Sequence, residues 1–290
     1  MLFDPILTDA LRDALPGLGD FFLLITQFGS ELVFIGILLI LFWTVNKKEA
    51  IYATFVLLFA ILSNYWLKMM IANERPPASN WYPGTDPPNY STPSGHSQNS
   101  ASLYGWFAIR VKRWWMLLIA IVLTTLVGIS RVYLGVHYIG DVLLGWGVGI
   151  VTVLAFYYLE KPVREFLSRF RYEYLMMVLA GIALGMLVLS WFLPQPPNDN
   201  FGAIGGITIG LAIGLALEYR FVNFDVKPLN EQRWRLVLRV IIGLVLVIGL
   251  MIGLGGVLPS EDLWLRAIRY ALIAITGVFI WPLIFKHAKL

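Results

Sequence analysis

The sequence predicts an all-α, polytopic membrane protein of about nine transmembrane helices, and three observations predict it. The first is composition: of 290 residues, 58% are apolar and only 14% are charged, far too little charge to clothe a soluble domain of this length. The second is that the apolar residues arrive in long runs. Residues 241–258 are long enough to cross a bilayer alone, and residues 271–285 nearly so with their flanks. The third is that basic residues gather in alternate turns between the runs, the asymmetry that membrane insertion imposes.

Composition also excludes some chemistries. The chain has no cysteine, which rules out disulfides, thiolate metal sites and a cysteine nucleophile while fitting either redox environment. A net charge of +4 gives no reason to expect a nucleic-acid partner; the expected surroundings are the bilayer. The opening Met1-Leu2-Phe3-Asp4-Pro5 lacks the basic n-region of a cleavable signal peptide, so the N-terminus is expected to persist in the mature protein.

Taken in order, residues 5–28 mix Leu7, Leu11, Leu15 and Phe22 with Asp9, Asp13 and Asp20. That pattern suits an amphipathic segment at the membrane interface, or equally an ordinary helix leading into the first span. Candidate spans follow near residues 31–46, 49–69, 95–110, 113–131, 137–159, 174–193, 201–218, 238–258 and 265–285. The turns after the first, third, fifth and seventh hold Lys47 and Lys48; Arg110, Lys112 and Arg113; Lys161, Arg164, Arg169 and Arg171; and Arg220, Lys227, Arg233 and Arg235. Arg239, Lys286 and Lys289 fall on the same side. Of the 22 Lys and Arg residues, only Arg12, Lys68, Arg75, Arg131, Arg266 and Arg269 fall on the other. The positive-inside rule then makes the C-terminus cytoplasmic and the N-terminus external, as expected of a multi-pass protein of the plasma membrane.

Between the second and third spans, residues 72–94 form a long outward connection. Six prolines and a Gly84-Thr85-Asp86 turn make it structured without being helical or strand-like. Long connections of this kind are functional or disordered. Trp81, Tyr82 and Tyr90 argue against disorder, or belong to the interfacial aromatic belt.

Functional residues concentrate at this outward face. Lys68 closes the second span and Arg75 precedes Pro76. Ser94-Gly95-His96 opens the third span, Arg131 closes the fourth, and His137 opens the fifth with Asp141 one turn deeper. Alone, Lys68 or Arg131 would be a snorkelling flank residue, and either histidine an interfacial polar group. Asp141 is harder to dismiss, because a carboxylate a turn inside a span needs a partner, and His137 stands at i−4.

Together these residues suit phosphoryl chemistry. Transfer of a phosphoryl group spreads charge over three equatorial oxygens, to which Lys68, Arg75 and Arg131 can offer point-charge and bidentate donors. Ser94 and the backbone N–H groups of Gly95 and His96 lie at a helix N-terminus, an anion site that glycine lets a ligand approach closely. A Ser/His/Asp acyl-transfer triad would leave the three cations crowding a neutral carbonyl to no purpose.

The full constellation, Lys68-x6-Arg75-Pro76, Pro93-Ser94-Gly95-His96 and Ser130-Arg131-x5-His137-x3-Asp141, resembles the tripartite signature of the type 2 phosphatidic acid phosphatase superfamily over roughly residues 30–160. The resemblance implies a six-helix phosphatase core plus C-terminal helices, here divided as residues 1–28, 29–170 and 171–290. It implies a membrane hydrolase in which His137 attacks phosphorus, Asp141 holds its imidazole, and His96 protonates the leaving group and then activates water. Lys68, Arg75, Ser94, Gly95 and Arg131 would bind the phosphoryl oxygens, with Ser130 in support and neither metal nor cofactor required. The implied substrate is a membrane lipid phosphate or polyprenyl diphosphate. A phosphotransferase or a sugar-phosphate phosphatase is the alternative, and the nine-span layout is similar to the glucose-6-phosphatase branch. A non-catalytic phosphate or lipid binder would need the cations but not His96, His137 and Asp141.

Beyond the signature, the seventh and eighth spans are rich in glycine: Gly202, Gly205, Gly206, Gly210 and Gly214, then Gly243, Gly249, Gly253, Gly255 and Gly256. Such spacing lets helices pack closely; packing within the chain is the first expectation and a homodimer face the second. Arg266 and Arg269 lie on one side of the ninth span, where they extend a headgroup site or snorkel to the interface. His287 is given no role.

Overall fold

The computed structural model describes residues 2–87, 89–192, 201–226, 233–259 and 261–290. Pro88 of the 72–94 connection, Leu193 at the end of the sixth predicted span and Lys227 of a basic turn lie outside the described residues. All regular structure among the described residues is helical, as expected where backbone groups in a bilayer must be satisfied within their own segment.

The helices are α1 (Ile6–Ala14), α2 (Gly19–Gln27), α3 (Glu31–Thr44), α4 (Lys47–Ile71), α5 (Gly95–Val111), α6 (Trp114–Tyr133), α7 (Ile139–Leu167), α8 (Tyr172–Trp191), α9 (Phe201–Leu217), α10 (Arg233–Val257), α11 (Leu263–Ile275) and α12 (Trp281–His287). Among the described residues, seven helical segments are long and apolar enough to cross a membrane, or up to eight if a bent pair counts as one span. Two of the nine predicted spans account for the difference. The first corresponds to α3, which qualifies only together with α2 across a 43° bend. The third is the 17-residue α5, whose buried Ser97, Gln98, Asn99, Ser100 and Ser102 lower its hydropathy because they face protein rather than lipid.

The chain divides into two compact units, Met1–Ile37 with Tyr52–Glu160 and Leu38–Ile51 with Lys161–Leu290. In the first unit, α1 and α2 pack against the end of α6. Thr8 Oγ1 donates to the Val132 carbonyl at 2.9 Å, and Arg12 donates to the carbonyls of Tyr133 at 3.0 Å and Asn80 at 2.7 Å. Phe22, Tyr133, Leu134 and Val136 form a buried cluster with Leu11, Leu23, Trp81 and Tyr82 against it. Of the apolar face read from residues 5–28, Leu11 and Phe22 therefore pack on the end of α6 and the 72–94 loop, while Leu7 and Leu15 stay exposed.

Helices α5, α6 and α7 approach one another through glycine. A Cβ on Gly145 would stand 2.8 Å from the Ser94 carbonyl, and one on Gly149 2.7 Å from the Gln98 carbonyl. A Cβ on Gly128 would stand 2.3 Å from the Trp146 ring. Only hydrogen fits at these contacts, so α7 lies directly on the first two turns of α5.

In the second unit, α9 uses the same device. Cβ atoms on Gly202, Gly206 and Gly210 would lie 2.7, 2.2 and 2.4 Å from the carbonyls of Leu263, Ala267 and Ala271, so one glycine face of α9 seats on the backbone of α11. Helix α9 ends in a π-helical turn, Glu218–Val222, where the buried Glu218 carboxylate accepts from Lys47 Nζ at 2.8 Å and from the Phe224 N–H at 3.2 Å. Arg239 donates to the Trp43 carbonyl at 2.7 Å and stands 4.2 Å from the Phe285 ring centre. Arg269 donates weakly to the Leu258 carbonyl at 3.4 Å and stacks 5.1 Å from the Tyr270 ring. The His287 ring meets the Leu283 carbonyl at 2.8 Å.

Candidate active site

Each predicted site residue in the first unit owes its place to a chain reversal. Helix α4 stops one turn after Lys68, where Ala72 adopts φ 49° and its N–H bonds the Lys68 carbonyl at 2.9 Å. Lys68, 6% exposed as a residue, then donates through its ammonium to the Tyr90 and Ser91 carbonyls of the returning loop. After α6 the chain turns at Gly135, with φ 73°, where a Cβ would lie 1.9 Å from the Asn80 carbonyl oxygen. No side chain can stand there. The turn delivers Val136 and His137 beside Arg131, whose carbonyl accepts the Val136 N–H at 3.2 Å.

Ser94 caps the N-terminus of α5, and its N–H donates to the Asp141 carbonyl at 3.0 Å. Its hydroxyl accepts from Ser97 Oγ at 2.9 Å and makes no cap bond to its own helix. The first-turn N–H groups of Gly95 and His96 have no intrahelical partner and are available to an anion. Asn64 of α4 supports this turn from beneath: its amide donates to the Pro93 carbonyl at 3.2 Å and to Gln98 Oε1 at 2.9 Å.

His137 and Asp141 form the centre. Asp141 is fully buried. Its carboxylate accepts from the hydroxyls of Ser91 and Thr92, from the Tyr138 N–H at 2.9 Å, and meets His137 Nδ1 at 3.2 Å. Ser91 Oγ also lies 3.2 Å from Nδ1. With acceptors on that side, the proton is assigned to Nδ1, leaving a lone pair on Nε2. Nε2 faces Arg75 NH1 at 3.0 Å. Arg75 is fixed by the carbonyls of Asn89 at 2.9 Å and Val136 at 2.8 Å.

Lys68, Arg75, Arg131 and His96 all lie within electrostatic reach of His137. Burial first, then the Arg75 guanidinium and the other cations, holds the His137 imidazole well below its ordinary range. Burial also pulls the Arg75 guanidinium down to about 10, opposed by the Asp141 carboxylate, which leaves it charged at neutral pH. Cations gathered this closely repel one another, and an arriving anion relieves that repulsion.

The structure thus brings Lys68, Arg75, Ser94, Gly95, His96, Arg131, His137 and Asp141 to one place. Ser130, in contrast, spends its hydroxyl on the Val127 carbonyl of its own helix at 2.6 Å. Arg266 and Arg269 belong to the second unit. Three contributors had no signal in the sequence: Ser91 and Thr92, which hold Asp141, and Thr26, whose Oγ1 accepts from Arg131 NH1 at 2.8 Å. Among the described residues, no group of three or more His, Asp or Glu is placed to hold a metal ion.

Comparison with known proteins agrees with the signature. Residues 49–165 match the PAP2 superfamily, and residues 202–290 match the PAP2 superfamily phosphatase, transmembrane extension. Between them the two matches account for well over half of the chain, which belongs to the PAP2 superfamily. Over 119 residues it is 37% identical to the phosphatidylglycerophosphatase B of Bacillus subtilis, covering 38% of this chain and 55% of that one. Over 254 residues it is 24% identical to mouse (Mus musculus) sphingosine-1-phosphate phosphatase 1, covering 78% of this chain and 57% of that one. The chain therefore spans little more than half the length of these relatives. The crystal structure of a transmembrane PAP2-type phosphatidylglycerolphosphate phosphatase from Bacillus subtilis aligns at a TM-score of 0.44 and 31% identity, over 57% of this chain and 87% of that one.

Proposed function

We propose that the protein is an integral membrane phosphatase that hydrolyses a phosphorylated lipid through a phosphohistidine on His137, at a site on the external face. The observation that carries this reading is the Arg75–His137–Asp141 line. Nδ1 is held by a buried carboxylate, and Nε2 points its lone pair at a guanidinium that binds phosphate equally well. The names of the relatives support a lipid phosphomonoester as substrate, and a site at the ends of membrane helices suits a ligand whose tail stays in the bilayer.

In this mechanism the phosphoryl group displaces Arg75 from Nε2 and settles among Lys68, Arg75, Arg131 and the N-terminus of α5. Nε2 attacks phosphorus as the bond to the leaving oxygen breaks, and protonated His96 passes its proton to that oxygen. The substrate's negative charge favours the protonated His96 needed at the start. Asp141 stabilises the charge that His137 acquires. Neutral His96 then takes a proton from water, whose oxygen attacks phosphorus. The P–N bond breaks, inorganic phosphate leaves, and His137 is neutral again.

The test is phosphate release in detergent, with chelator present, from phosphatidic acid, phosphatidylglycerophosphate, sphingosine 1-phosphate, a polyprenyl diphosphate and a sugar phosphate. Release is expected from at least one lipid and unaffected by chelator. His137→Ala should lose at least ~10³-fold in turnover. Wild-type release by that variant would overturn the assignment.

A further inference from the structure

We propose that the bend between α2 and α3 is part of the catalytic apparatus: Gly29 fixes where His96 stands, and Thr26 fixes how Arg131 is oriented. The inference rests on the phosphatase mechanism above and adds two positioning residues that lie outside the stretch matching the family, residues 49–165.

The bend is built for close approach. The chain breaks at residues 28–30, where the N–H groups of Phe28, Gly29 and Ser30 turn back to the carbonyls of Ile25, Thr26 and Gln27 at 3.1, 2.9 and 2.9 Å. The Phe28 carbonyl, freed from helix pairing, accepts Tyr104 Oη of α5 at 2.7 Å, which ties the bend to the helix that carries His96. At Gly29 a Cβ would lie 2.6 Å from Val127 Cγ1 and 3.1 and 3.2 Å from His96 Cβ and Cδ2. The Gly29 backbone is therefore a wall of the His96 slot, with the stiff, fully buried Val127 closing it. Among the described residues the His96 ring has no hydrogen-bond partner, so packing alone sets its place. Even a methyl group at residue 29 moves it.

Three residues before Gly29, Thr26 is 5% exposed and meets Arg131, itself 8% exposed. Their 2.8 Å bond occupies one guanidinium nitrogen, while the buried Nε has no partner. A guanidinium so anchored keeps its plane fixed and its remaining donors ready for phosphoryl oxygens.

The two roles give different kinetic signatures. His96 acts on the leaving oxygen, so its displacement matters in proportion to how basic that oxygen is. Arg131 acts on oxygens that every substrate shares. The experiment measures kcat/KM of the full chain in detergent for a long-chain alkyl phosphate and for p-nitrophenyl phosphate, whose leaving group needs little protonation. Gly29→Ala should lose ~10- to 100-fold on the alkyl ester, a fraction of what general acid catalysis supplies, and about 3-fold or less on the aryl ester. Thr26→Val should lose ~10-fold on both alike, the factor that one hydrogen bond to a charged group accounts for, and orthovanadate inhibition should weaken in parallel. Gly36→Ala, in α3 with nothing within 4 Å of its Cβ, should match wild type.

If Gly29→Ala fails to fold, Gly29→Ala/Val127→Ala removes the severe overlap and keeps the pressure on His96. Its alkyl-to-aryl ratio should still fall against Val127→Ala alone. A differential loss in His96→Ala with an unchanged ratio in the Gly29 variants, or Thr26→Val indistinguishable from wild type, overturns this inference and leaves the mechanism standing. A wild-type protein inactive on every ester, or a His96→Ala variant without leaving-group dependence, overturns the mechanism and the inference with it.

Discussion

Asp141 shows how much of the site lies in residues without a motif of their own. Two loop hydroxyls and one backbone N–H hydrogen-bond its carboxylate, so a polar group that would otherwise be costly to bury is satisfied and aimed at His137. Removing one such donor leaves a buried lone pair unsatisfied, at a cost of about 1–3 kcal/mol. Ser91→Ala should therefore lower phosphate-release turnover by roughly 10-fold or more. Thr92→Val should do the same, because its hydroxyl also accepts from Asn73 Nδ2 at 2.8 Å and thereby fixes the loop. Kinetics of both variants in detergent check this, and turnover equal to wild type would show that His137 and Tyr138 suffice to orient the carboxylate. Histidine, lysine, arginine and aspartate at span ends stand out in a sequence because charge at a membrane face needs a reason. Ser91, Thr92 and Thr26 do not, since a short hydroxyl takes its partner from the path of the chain, and nothing in its spacing tells where that path leads.

Helices were legible wherever lipid dictated them. The long apolar runs became α4, α6 to α11 and their extensions because a bilayer leaves a chain few other ways to satisfy its backbone. Hydropathy was less informative where protein replaced lipid: α5 carries a buried polar face, and α2 and α3 break where the Gly29 backbone packs against Val127 and His96. The glycines divide in the same way. On α7, Gly145 sits against the Ser94 carbonyl, whereas a Cβ on Gly147, two residues on, would meet nothing within 4 Å. Equal spacing in the sequence hides that difference, since only the facing helix reveals it. Gly145→Ala should push α7 off the first turn of α5 and cost about 1–3 kcal/mol, read as a lower unfolding temperature together with reduced turnover. Gly147→Ala should be neutral or stabilising by up to about 1 kcal/mol. If both variants behave alike, the α5–α7 contact is looser than the geometry requires.

At the scale of the whole molecule, the distribution of Lys and Arg predicts a side of the membrane for each turn, and on the proposed function that side would determine which leaflet supplies the substrate. The loop of residues 72–94 carries Arg75, Ser91 and Thr92 to the site, so the site must open on whichever side that loop faces. Because the chain contains no cysteine, a single introduced thiol is a unique label. Ser79, exposed in that loop, and Val111, 41% exposed at the far end of α5, report the two ends of the first unit without altering any charged residue. With the positive-inside orientation, Ser79→Cys should react with a membrane-impermeant maleimide in intact cells, and Val111→Cys only after permeabilisation. The reverse pattern would move the cation cluster to the cytoplasmic side. The basic turns would then have failed as a guide, and the substrate would have to come from the inner leaflet while the chemistry of His137 stayed the same.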